Sequence, residues 1–82
     1  MKEAFLNSKS YYVVIENSEG ENRGQRYIAE FPNRYYFEEW EKKESNGTRV
    51  VTENVDKKSV ERMVLGGAQL RNLRKVKMFK KM

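Results

Sequence analysis

The amino-acid sequence predicts an α+β fold: a small antiparallel β-meander of four strands, one α-helix packed on one face, and a C-terminal strand, in the order β-β-β-β-α-β. Three observations carry that prediction. Residues 10–16 (SYYVVIE) and 25–31 (QRYIAEF) are dense in β-branched and aromatic side chains, the types that fit a pleated, half-buried surface. Asn46-Gly47 is a strong hairpin signal, because both central residues of a type I′ turn need positive φ. Val60, Met63, Val64 and Gly67 recur at i, i+3, i+4 and i+7, the stripe of an amphipathic helix.

Residues 1–9 carry Ala4, Phe5 and Leu6 as their apolar cluster and are expected to be only partly ordered. In the first strand, alternation puts Tyr11, Val13 and Ile15 on one face and Tyr12 and Val14 on the other, which suits a central strand. Residues 17–24 (NSEGENRG) hold two glycines, two asparagines and no apolar residue, and read as a mobile hairpin loop. The returning strand turns Tyr27, Ala29 and Phe31 one way and Arg26, Ile28 and Glu30 the other. Pro32 has no amide hydrogen for a ladder, so the strand stops there and Pro32-Asn33 makes a corner.

Residues 34–44 (RYYFEEWEKKE) fit two periods. A helix would bring Tyr36, Phe37, Trp40 and Lys43 near one face; a strand would put Tyr36, Glu38, Trp40 and Lys42 on one side. The Asn46-Gly47 turn tips the reading to a strand paired with residues 48–53 (TRVVTE), with Glu44 opposite Arg49. Asn54 or Asp56 then caps a helix starting near Lys57, and Gly66-Gly67 ends it, because glycine accepts a left-handed cap at no steric cost. A helix running on to Asn72, with Leu70 on the same face, is the alternative. Residues 73–80 (LRKVKMFK) alternate Val76 and Met78 against Lys75 and Lys77 and read as a last strand, cationic on one side.

The chain has 82 residues, which bounds it to one small domain, 1–82. It contains neither Cys nor His, so thiol and imidazole chemistry and every metal site built on them are excluded. General acid–base work would fall to Asp, Glu, Lys or Tyr. The cluster Glu38, Glu39, Glu41 and Glu44 could imitate a divalent-metal site, but on a strand at most two of them converge. A solvated face balanced by Lys42, Lys43 and Arg49 is the simpler account of that cluster. Gly66-Gly67 is no phosphate loop, since no Lys-Ser/Thr follows it. No catalytic residue, metal, cofactor or small-molecule substrate is expected, and the chain does not read as an enzyme. No apolar run approaches a membrane span, and the N-terminus lacks the apolar core of a signal peptide, so a cytoplasmic location is expected.

Charge is the most informative count. Net charge is +5, but residues 1–56 hold eight basic and 11 acidic side chains, a net of −3. Residues 57–82 hold nine basic side chains and one acid, Glu61, a net of +8. Such a one-ended asymmetry suits a surface that meets DNA or RNA through its phosphates. The candidate contacts are Lys57, Lys58, Arg71, Arg74, Lys75, Lys77, Lys80 and Lys81. The same residues equally suit an edge strand kept soluble by lysine and countered by the acidic segment 38–44. Tyr12, Tyr35 and Trp40 are the candidate aromatic contact surface, able to stack bases or to join a protein partner or a second copy. That leaves two functional classes: a non-enzymatic nucleic-acid-associated protein, or a small inhibitor or adaptor that works through an aromatic sheet face. In composition alone the chain resembles small basic accessory proteins of phages and mobile elements.

Overall fold

The computed structural model describes residues 10–73. Its elements are β1 (Tyr11–Asn17), β2 (Arg26–Phe31), α1 (Arg34–Lys43), β3 (Thr48–Val55), α2 (Lys57–Leu65) and β4 (Leu70–Asn72). The four strands form one sheet in the order β3-β1-β2-β4. β1 is antiparallel to both β2 and β3, and β4 pairs with β2 in parallel. The sheet is thus mostly antiparallel and the fold is α+β.

β1 is the central strand its two apolar faces call for. Val13, Ile15, Tyr27, Ala29 and Phe31 bury on one face with Phe37 and Trp40 of α1. Tyr12 and Ile28 bury on the other with Val60 of α2. The strand directions explain this two-sided cover. β2 and β3 both run against β1 and therefore point the same way, as does β4. So β2-α1-β3 and β3-α2-β4 are both crossovers, stepping in opposite directions across the sheet. Two crossovers of one hand that step in opposite directions must place their helices on opposite faces.

Residues 34–44 are therefore a helix, not the fourth strand of a meander. Asn33 follows Pro32 in extended conformation and its Oδ1 accepts from the Tyr36 amide at 3.2 Å, capping the first turn. Helical spacing then brings Phe37 and Trp40 together over Phe31, with ring centroids 5.4 and 5.6 Å from it. Arg34–Glu38 and Glu39–Lys43 become i, i+4 ion pairs on the solvent side. A turn at Asn46-Gly47 remains, closed by the Thr48 amide on the Ser45 carbonyl at 3.0 Å, but only Gly47 takes positive φ (+81), so it is not the expected type I′ turn, and it joins α1 to β3 instead of two paired strands.

The second half follows the sequence more closely. Asp56 caps α2, accepting from the Ser59 amide and hydroxyl at 3.4 and 2.8 Å. Gly66 closes α2, and Gly67 takes φ +106. A helix running to Asn72 is ruled out, because Leu70–Asn72 is β4 and pairs with Ile28, Ala29 and Glu30. β4 ends at Asn72, before the strand expected over 73–80 begins, and all of that stretch but Leu73 lies outside the described residues. Leu73 still donates to the Glu30 carbonyl at 3.0 Å, while residues 74–80 and 1–9 lie outside the described residues. The edge strand β3 takes in extra residues against β1 at two places, and Asn54 sits there at φ +55. Bulges on an edge strand hinder pairing with another chain. No helix among the described residues is long and apolar enough to cross a membrane.

Candidate nucleic-acid interface

α2 is held by one deep anchor, and that anchor sets which side chains face out. Val60 is fully buried against Tyr12 and Ile28. Lys58 and Arg62, four residues apart, are neighbours on the solvent side of the helix and both are exposed. Lys57 is half-buried beside them. α2 connects the two outer strands, and these three cations occupy its first six residues, about 7.5 Å of its length.

Among the described residues before 57, every cation but Arg23 forms a salt bridge. Arg26 and Arg49 pair with Glu16, Arg34 with Glu38, and Lys42 and Lys43 with Glu39. Every one of these precedes residue 57. Among the described residues, Lys57, Lys58, Arg62 and Arg71 form no salt bridge. Among the described residues, the acidic segment of α1 therefore forms no salt bridge with Lys57, Lys58, Arg62 or Arg71. It lies across the sheet from α2, with Glu38 and Glu39 engaged by cations of their own helix.

Lys57 and Lys58 also occupy an unfavourable place. They begin α2, whose first turn contains no acidic residue. The N-terminal end of a helix dipole is positive and disfavours cations there. Asp56 offsets part of this through its carboxylate. Its pKa is lowered, chiefly by the Ser59 hydroxyl hydrogen bond and in part by the charge of Arg62.

The sequence-predicted contacts are only partly brought together. Arg71 lies on β4, on the α1 side of the sheet, with its guanidinium 4.1 Å from the centre of the Tyr27 ring and an Nη2 donor on Gln69 Oε1 at 3.2 Å. It stands across the sheet from Lys57 and Lys58 and at the opposite edge from the start of α2. Arg74, Lys75, Lys77, Lys80 and Lys81 lie outside the described residues.

The aromatic surface needs correction. Tyr12 is 2% exposed and Trp40 7%, so neither presents a ring to a partner. Tyr12 lies under Val60, and Trp40 packs on Phe31 and Phe37. The sequence predicts a helix on one face only; with α1 and α2 on opposite faces, both sides of the sheet are covered. Tyr35 is 62% exposed, against Tyr36 on the α1 side and away from the cations of α2.

Arg62 was legible as the i+4 neighbour of Lys58. A row of Arg26, Glu16 and Arg49 across β2, β1 and β3 was not, because it exists only through strand pairing. Arg26 Nε and Arg49 Nη2 both donate to Glu16 Oε1, at 3.0 and 2.9 Å. Strand alternation puts this row on the α2 face, beyond the cover of Val60. The Glu16 carboxyl is held below its ordinary pKa, first by the Arg26 hydrogen bond and then by the charge of Arg49.

Glu16 and Asp56 give the fold an acid-side pH dependence. Both have folded pKa values below their unfolded ones, so their contributions are complete above the unfolded values, near pH 4, and fade as pH falls through the folded values. Melting temperature is expected to drop on acidification from about pH 5 to pH 3. The drop should be smaller in a Glu16→Gln, Asp56→Asn double variant. Equal drops in the two proteins would remove these carboxyls as the cause.

Among the described residues, no three carboxylates lie close enough to hold a metal ion. No protein-family model, curated protein or solved structure matches the chain, so the site rests on its own geometry.

Proposed function

We propose that this chain is a non-enzymatic, cytoplasmic nucleic-acid-associated protein that meets the phosphate backbone of DNA or RNA through α2 and the cationic residues after it. The observation that carries the reading is the placement of Lys57 and Lys58. They are cations without a salt bridge among the described residues, in a helical turn where the dipole disfavours them. Asp56 offsets only part of that cost, and residues that break a local rule at a net cost are where function is expected. Lys58 and Arg62 extend the surface along the helix. Arg74, Lys75, Lys77, Lys80 and Lys81, outside the described residues, bring five more positive charges to the second half of the chain. Phosphate contacts of this kind position nucleic acid without reading its sequence.

The test is an anisotropy titration with single- and double-stranded DNA and RNA between about 50 and 200 mM salt. Binding is expected, with log affinity falling linearly as log salt rises. Absence of binding to all four at the lowest salt would overturn the reading. The protein-module alternative would rest on an aromatic sheet face, and on both sides that face is under a helix.

A further inference from the structure

We propose that Arg26 and Arg49, braced on Glu16, form a two-armed clamp for a single backbone phosphate on the α2 face of the sheet. This rests on the nucleic-acid reading and adds to it a specific contact outside the basic second half.

The geometry is that of a pre-set pair. The Glu16 side chain is 20% exposed and each arginine 56%, so the carboxylate lies beneath and the guanidiniums above it. Both arginines bond the same oxygen, Oε1, with one nitrogen each. A guanidinium has five N–H donors. Most of the donors on both arms are therefore left for a ligand, and their planar edges match phosphate oxygens.

Charge points the same way. Two guanidiniums on one carboxylate leave the row with a net positive charge. Glu19, Glu21 and Arg23, in the adjoining hairpin loop, form no salt bridge among the described residues, so none of them occupies the remaining donors of either arm. The carboxylate also holds the arms in place before a ligand arrives, which lowers the ordering cost of binding. The row shares the α2 face of the sheet with Lys58 and Arg62 but lies at the opposite end of β1 from Val55, where β3 leads into α2, so a bound strand would run along β1 to meet both.

A brace between strands that takes no ligand is the competing account, and the salt slope separates the two. Arg26→Gln and Arg49→Gln are each titrated with the oligonucleotide that binds the wild type best. Each variant is expected to flatten the slope of log affinity against log salt by about 0.7 for a single strand or 0.9 for a duplex. Melting temperatures should stay near wild type, since exposed ion pairs contribute little to stability. Wild-type slopes in both variants would overturn the clamp and leave the nucleic-acid reading standing. A wild-type chain that binds no nucleic acid would overturn that reading itself.

Discussion

Phe37→Ala is expected to cost about 3–5 kcal/mol of folding stability, the usual range for emptying a buried aromatic site. The Phe37 ring is 1% exposed and sits between Phe31, Tyr11 and Trp40, with centroids 5.4, 5.5 and 6.3 Å away. Truncation removes the ring that joins α1 to the sheet, and the neighbours sit on separate elements that cannot close the gap cheaply. A chain of this size has a total stability on the order of 5 kcal/mol, so the variant should be largely unfolded at 37 °C. Urea denaturation followed by Trp40 fluorescence reads this directly. Tyr35→Ala, two residues away and exposed, is the control and should stay within about 0.5 kcal/mol of wild type. Were 34–44 a strand, Tyr35 and Phe37 would share a face and the two substitutions would have similar effects.

Lys57→Glu, Lys58→Glu is expected to move binding and stability in opposite directions. Two phosphate contacts are lost and two repulsive charges introduced. The salt slope should flatten by about two, and affinity at low salt should fall by about tenfold or more. Stability should rise, because glutamates in the first turn of α2 complement its dipole where lysines oppose it, by roughly 0.3–1 kcal/mol per residue at low ionic strength. Thermal melts and anisotropy titrations on one preparation measure both. Loss of binding with a gain in melting temperature is the signature of residues kept for a partner. A variant that binds as the wild type does would remove the α2 lysines from the interface, whatever its stability.

The strand faces of β1 and β2 were legible because a period of two leaves no ambiguity once both faces are apolar. Tyr12 and Ile28 fell on one side and Val13 and Phe31 on the other, as alternation required. The caps of α2 were equally legible, since Asp56 and Gly66-Gly67 act through local hydrogen bonds and backbone sterics. The segment 34–44 was misread because its aromatics and charges satisfy both periods. The Asn-Gly turn after it looks the same whether it follows a strand or a helix. The charge separation could be counted along the chain, but its meaning depended on which carboxylates lie within reach of which cations.

From composition and short-range pattern alone came the α+β class, the two-faced central strand, the absence of thiol and imidazole chemistry and the cationic second half. Those rest on properties of a residue and its near neighbours in the chain. Packing settled the identity of α1, the burial of Tyr12 and Trp40, the order β3-β1-β2-β4 and the row Arg26–Glu16–Arg49. Each of these depends on segments distant in sequence competing for the same two faces and the same two flanks of β1, a competition that no single stretch of the chain encodes.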